Sequence, residues 1–223
     1  MATNITKRRM IVKKRLEQKK KKTRQGLLIA LGVILIISLA AIVPNLLRPK
    51  ANYKGSEGFT LGNPNAPIEV VNFSNFYCGY CELFSTTTEP TFIKDYVDSG
   101  HVYYRYVNLA STNDEGTRNA GKAAYCAADQ NLFFNIKPKL YLAAHEQDGF
   151  SITNLIRIAE SVGLDRTQFE TCLLENQDLE DALYKDLLYA QSVGLTGTPS
   201  FLVNGQLVYS NELVPLVESL LDQ

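Results

Sequence analysis

The chain has little of what many catalytic sites are built from: two histidines, four cysteines and no formal net charge. With only His101 and His145 available, no Ser-His-Asp arrangement can be argued, and each reads as a surface histidine rather than a metal ligand. No glycine-rich phosphate loop occurs, which removes the common nucleotide-binding chemistries. Internal repeats are absent, and the only low-complexity run is a basic stretch at the start of the chain.

The zero net charge is an average over two unlike regions. Residues 1–25 hold eleven lysines or arginines against one acid, Glu17, so the remainder carries a net charge of −10. Gly26 to Val43 is free of charge and ends at Pro44, with apolar character resuming in Leu46-Leu47. As a helix that stretch is about 27 Å long, close to the thickness of a hydrocarbon core. The reading is a cytoplasmic basic tail (1–25), a single-pass anchor (26–47) and a short polar linker (48–57), with residues 58–223 on the far side by the positive-inside rule. Ser38-Leu39-Ala40 resembles a signal-peptide cleavage site, but the basic region and the apolar run are both long for one. Beside a span, such a tail serves topology and contact with anionic lipid rather than nucleic-acid binding.

The cysteines fall at Cys78, Cys81, Cys126 and Cys172. Cys78-Gly79-Tyr80-Cys81 follows an apolar run, Pro67 to Phe73, and precedes a helix-like segment beginning Glu82-Leu83-Phe84. A C-x-x-C motif between strand and helix is the context of a redox dithiol. At a helix start, Cys78 meets unpaired N–H groups and the positive end of the helix dipole, which favour its thiolate. Cys78 is therefore the expected exchanging sulfur, and Cys81, nearly one turn in and more buried, the resolving one. Gly79 and Tyr80 are the residues between them that tune the motif. Cys126 and Cys172, each in a helical pattern, are left to pair with each other in a compartment where disulfides persist. Closing a loop of about 45 residues contributes about 4 kcal/mol in the chain-entropy account. Two buried free cysteines are the alternative. A zinc ribbon needs two closely spaced cysteine pairs, which the separation of Cys126 and Cys172 does not supply, so no metal site is expected.

The remaining pattern predicts strands at Ile68–Phe73 and His101–Val107, with a helix over 78–98 kinked at Pro90. Helices follow at 115–129, 132–144 (interrupted or kinked at Pro138), 152–162, 166–175 and 178–192, with stops at Gly163 and Asn176. Ser200–Val203 and Gln206–Tyr209 read as a hairpin around Asn204-Gly205, and a final helix runs over 211–221. The expected fold is an α/β thioredoxin fold with a helical insertion over about 113–192.

Three stretches carry a family likeness: Gly62 through Cys81, the helix from Ala123 to Gln130, and Gly194-Leu195-Thr196-Gly197-Thr198-Pro199 continuing to Gly205. In these the ectodomain resembles the DsbA-like thiol:disulfide oxidoreductases, particularly the membrane-tethered, VKOR-partnered branch. The resemblance implies a cis Thr198-Pro199 bond facing the cysteines, with Thr198 holding substrate as an added strand. It implies cysteine-bearing client proteins, reoxidation by a membrane quinone-linked DsbB- or VKOR-type partner, and no cofactor beyond the redox disulfide. Gly-Tyr between the cysteines and Thr before Pro199 also resemble the isomerase DsbC, whose extra N-terminal domain has no room in this linker. An isomerase, or a reductase of cytochrome maturation, is thus the alternative to an oxidase, with a non-catalytic binding module behind both. The chain departs from the family at Asn72 and Asn75, where acids are common. An acid near a buried thiol can assist its deprotonation, which leaves water, Glu69 or Glu82 as the substitutes to consider for Cys81.

Overall fold

The computed structural model describes residues 59–110 and 114–222. The basic tail, anchor and linker expected over 1–57 lie outside the described residues. Among the described residues, no helix is long and apolar enough to cross a membrane.

Five strands form one sheet: β1 (Thr60–Leu61), β2 (Ile68–Ser74), β3 (Val102–Asn108), β4 (Ser200–Val203) and β5 (Gln206–Tyr209), in the order β1-β3-β2-β4-β5. β2 and β3 run parallel and the other pairings are antiparallel. Between β2 and β3 the chain makes α1 (Gly79–Thr87), α2 (Glu89–Phe92) and a π-helical turn, Ile93–Val97. The insertion between β3 and β4 comprises α3 (Glu115–Asp129), α4 (Phe133–Ala143), α5 (Ile152–Ser161), α6 (Arg166–Glu175) and α7 (Asp178–Ser192), and α8 (Ser210–Leu221) follows the hairpin.

The central strand β2 is buried at six of its seven positions. Burial on both faces is what a helix layer on each side of a sheet requires, and it explains the near-continuous apolar run in the sequence. On one side the insertion encloses Phe59, Tyr106, Tyr125, Phe133 and Cys81. On the other, Phe84, Phe92, Val208, Leu213 and Val217 close the core against α1, α2 and α8.

Where the structure departs from the expected elements, backbone chemistry explains it. The single helix expected over 78–98 is three pieces, because Pro90 has no N–H to continue the ladder and instead sits in the first turn of α2. Pro138, in contrast, is accommodated inside an unbroken α4. At the hairpin, Asn204 and Gly205 both have positive φ, 46° and 89°, as the primed two-residue turn demands.

Candidate functional site

The turn that carries the cysteines is fixed by Asn75. Its side-chain oxygen accepts from the Tyr77 N–H at 2.7 Å, its amide donates to the Leu109 carbonyl, and its own carbonyl accepts from the Cys78 N–H at 3.1 Å. Cys78 is the N-cap of α1, with extended backbone (φ −87°, ψ 110°), and its carbonyl receives the first helical hydrogen bonds, from Cys81 and Glu82. Where the resemblance leads one to expect an acid, the Asn75 amide builds the turn.

Cys78 and Cys81 are both free thiols in unlike surroundings. Cys78 is partly exposed, and its Sγ lies 3.3 Å from the Thr198 carbonyl oxygen. Burial pushes its pKa up, but contacts with Thr198 and Cys81 and the N–H groups of Cys81 and Tyr80 outweigh it, so the thiol sits below its ordinary value. Cys81 is completely buried, and that burial pushes its thiol up to about 12, against the opposing hydrogen bond from Asn75. One sulfur is thus set up to ionise at the surface and the other to hold its proton inside.

The peptide bond between Thr198 and Pro199 is cis and leads directly into β4. Around Cys78 the surface is apolar: Tyr77, Tyr80 and Leu83 are each more than half exposed. Nothing lies within 4 Å of where a Gly79 side chain would point, so the motif faces open space beside Tyr80.

Behind Cys81 runs a buried polar chain that the sequence did not single out. Ser74, whose hydroxyl favours the Cys81 thiolate, donates to Asn72 Oδ1 at 2.7 Å. The Asn72 amide donates to the Tyr104 hydroxyl at 2.7 Å, and that hydroxyl donates to Glu89 Oε1 at 2.6 Å. Glu89 is also ion-paired with Lys137 and accepts from Ser85. Asn72, Ser74, Glu89, Tyr104 and Lys137 are all buried. The available signal was Lys137, a lone charge in the apolar helix segment Phe133-Phe134-Asn135-Ile136-Lys137. Glu89 gave none, since a glutamate before a proline at a helix start is ordinarily solvated. The two carboxylates considered as substitutes are held elsewhere: Glu69 pairs with Arg105 at 2.8 Å and Glu82 with His145 at 2.7 Å.

Cys126 and Cys172 form a disulfide that ties α3 to α6, with their Cα atoms 5.7 Å apart. It lies in the insertion, apart from the exchanging pair in the chain and in chemistry.

Residues 54–223 match the thioredoxin family. The chain belongs to that family. Its relatives include the probable disulfide bond formation protein D of Bacillus anthracis, 29% identical over 81% of this chain and 89% of that protein. The disulfide bond formation protein D of Bacillus subtilis is 27% identical over 66% of this chain and 68% of its own. Among solved structures, oxidised BdbD of Bacillus subtilis superposes with a TM-score of 0.63 at 23% identity, covering 74% of this chain and 93% of that one. Chlamydia trachomatis DsbA superposes with a TM-score of 0.65 at 20% identity, covering 78% and 94%. Within the family, this chain is a DsbA-like thiol:disulfide oxidoreductase.

Proposed function

We propose that this protein is a membrane-tethered, extracytoplasmic oxidase that introduces disulfides into cysteine-bearing client proteins. The observation that carries the reading is the opposed pair of thiols: Cys78 depressed and accessible, Cys81 raised and buried. A client thiolate attacks Cys78 of the Cys78–Cys81 disulfide, forming a mixed disulfide and releasing Cys81, which takes up a proton. A second client thiolate then attacks the client sulfur. The client leaves as a disulfide, and the two electrons remain on Cys78 and Cys81. Where no second thiolate is in reach, Cys81 attacks Cys78 and resolves the mixed disulfide by expelling the client thiolate.

A stabilised Cys78 thiolate makes the reduced form the favoured one, which is the thermodynamic condition for an oxidant. Thr198, adjacent to Cys78, would hold the client backbone beside Pro199, and Tyr77, Tyr80 and Leu83 would receive its apolar side chains. The electrons need no further cofactor, and a membrane quinone-linked partner of DsbB or VKOR type would return the pair to its disulfide. The basic and apolar segments over 1–47 support the tether, and the names of the relatives support the direction of exchange.

The reduction potential of the Cys78/Cys81 pair, measured against glutathione, tests this direction. A value near about −120 mV agrees with an oxidase; one near about −270 mV would make the protein a reductase.

A further inference from the structure

The group that attacks a disulfide is a thiolate, so the field at the mouth of the site decides which thiolates approach it easily. Four stretches of chain meet around Cys78. Its own turn continues into α1, where Glu82 in the first turn pairs with His145 at 2.7 Å. Tyr77 stacks on Phe150 with ring centres 4.9 Å apart, which brings up residues 145–150. The Tyr77 hydroxyl also lies against the start of α3, where a Cβ on Gly116 would come within 2.9 Å of it. Thr198 brings up the loop 194–199.

None of these stretches contains a lysine or an arginine, whereas they carry Glu82, Asp114, Glu115, Glu146 and Asp148. Asp114, Glu115, Glu146 and Asp148 are all exposed. The Asp114 carboxylate is close enough that, after burial, it holds the Tyr77 hydroxyl above its ordinary value. Ser111-Thr112-Asn113, just before it in the sequence, adds no charge. The arginines bordering the rim are engaged behind it: Arg118 pairs with Glu180 at 3.8 Å, and Arg157 donates to Asn154. An apolar platform of Tyr77, Tyr80 and Leu83, each more than half exposed, thus sits inside a rim of one sign.

We propose that this rim selects clients: the platform receives a segment in which lysine or arginine flanks the reacting cysteine, and Glu115, Glu146 and Asp148 are specificity-determining residues. The inference rests on Cys78 being the exchanging sulfur of the reading above. In the selected step the client thiolate bonds to Cys78 Sγ as the Cys78–Cys81 bond breaks. Cys81 departs with the electron pair of that bond and takes up a proton. The client cysteine is oxidised to the mixed disulfide and Cys81 is reduced to the thiol.

Charge complementarity is what commits the surface to a basic segment. A thiolate approaching by itself brings a negative charge into a negative rim, and flanking bases turn that repulsion into attraction. The same bases lower the pKa of the client thiol and so raise its thiolate fraction at neutral pH. Each exposed carboxylate contributes little individually, but charges within a Debye length, about 10 Å at 0.1 M salt, act together.

The test is stopped-flow reduction of the oxidised full-length chain, held in phosphatidylcholine nanodiscs, by two capped peptides with a central cysteine flanked by lysines or by glutamates. Each rate is divided by the same peptide's rate with 2-hydroxyethyl disulfide, which removes differences in thiol pKa and nucleophilicity. At low ionic strength the lysine peptide should be favoured about 10-fold by this ratio, and the preference should approach unity in about 1 M salt. Glu115→Gln, Glu146→Gln and Asp148→Asn combined should reduce it to about 2-fold. All three side chains are exposed, and asparagine tolerates the positive φ of 55° at position 148. Equal normalised rates for the two peptides, or a preference unchanged in the triple variant, would overturn the proposal. Acid-quenched mixed disulfides that map to Cys81 instead of Cys78 would overturn the exchange reading itself.

Discussion

The Sγ of Cys78 lies 3.3 Å from the carbonyl oxygen of Thr198, a residue 120 positions later in the chain. This contact joins the two ends of the domain: the strand-turn-helix that presents the dithiol and the loop that leads into β4. The helical insertion occupies most of the sequence between them and forms the wall behind Cys81. A client docked beside Thr198 therefore meets Cys78 first and has no path to Cys81.

The two thiols should titrate far apart. In the reduced enzyme, Cys78 should react with iodoacetamide at pH values below those at which an ordinary thiol becomes unreactive, because its pKa is depressed. Cys81 should stay unmodified until strongly alkaline pH, its own value being near 12. The linkage has a definite sign for Cys81. Its native pKa lies above the unfolded one, so its contribution to stability is complete below the unfolded value and is lost as pH rises toward about 12. Mass spectrometry of alkylated peptides across pH checks the reactivity of both sites.

Asn75 should prove a structural residue of the turn. Asn75→Ala removes an acceptor for the Tyr77 N–H and a donor to the Leu109 carbonyl, and should cost about 1–2 kcal/mol in urea unfolding. Asn75→Asp should not restore a family-like proton acceptor, since the amide's donor contact to Leu109 would be lost. An accelerated resolving step in Asn75→Asp would contradict this assignment.

The Cys126–Cys172 bridge should matter to stability and not to exchange. Replacing both cysteines by alanine opens a loop closed across a sequence separation of 46 and should lower unfolding stability by about 2–4 kcal/mol. Thiol exchange at Cys78, measured with glutathione below the unfolding transition, should keep its rate.

Gly121 is a packing point between α3 and its neighbours. A Cβ there would come within 2.8 Å of both Ala110 Cβ and Leu183 Cδ2. Gly121→Ala should therefore destabilise the domain by about 1–3 kcal/mol, read as a lower urea midpoint with an unchanged slope.

Much of this architecture was legible in the residues. Asn204-Gly205 announced its hairpin because few other residue pairs tolerate positive φ at two successive positions. α3, α6 and α7 fall at the positions read from helical periodicity and their flanking stops, and Asp114 and Asp165 cap two of them by accepting from backbone N–H groups. β1 was not legible: with two residues it is too short for any alternation to show. The breakup of 78–98 was only half legible, since Pro90 marks a break but not the π-helical turn that follows. At the site, the C-x-x-C and Thr198-Pro199 were readable as motifs. The chain from Ser74 to Lys137 was not, because its members come from two helices and two strands and only folding brings them together. Asn72 read as a missing acid; in the structure it is a link between Ser74 and Tyr104.

The most direct test of the account is the fate of Cys81→Ser in cells, examined on non-reducing gels. With the resolving sulfur removed, Cys78 should remain covalently joined to client proteins, giving high-molecular-weight species that collapse on reduction and are absent from Cys78→Ser. If Cys81→Ser accumulates no mixed disulfides, or if Cys78→Ser accumulates them instead, the assignment of Cys78 as the exchanging sulfur and Cys81 as the resolving one is wrong.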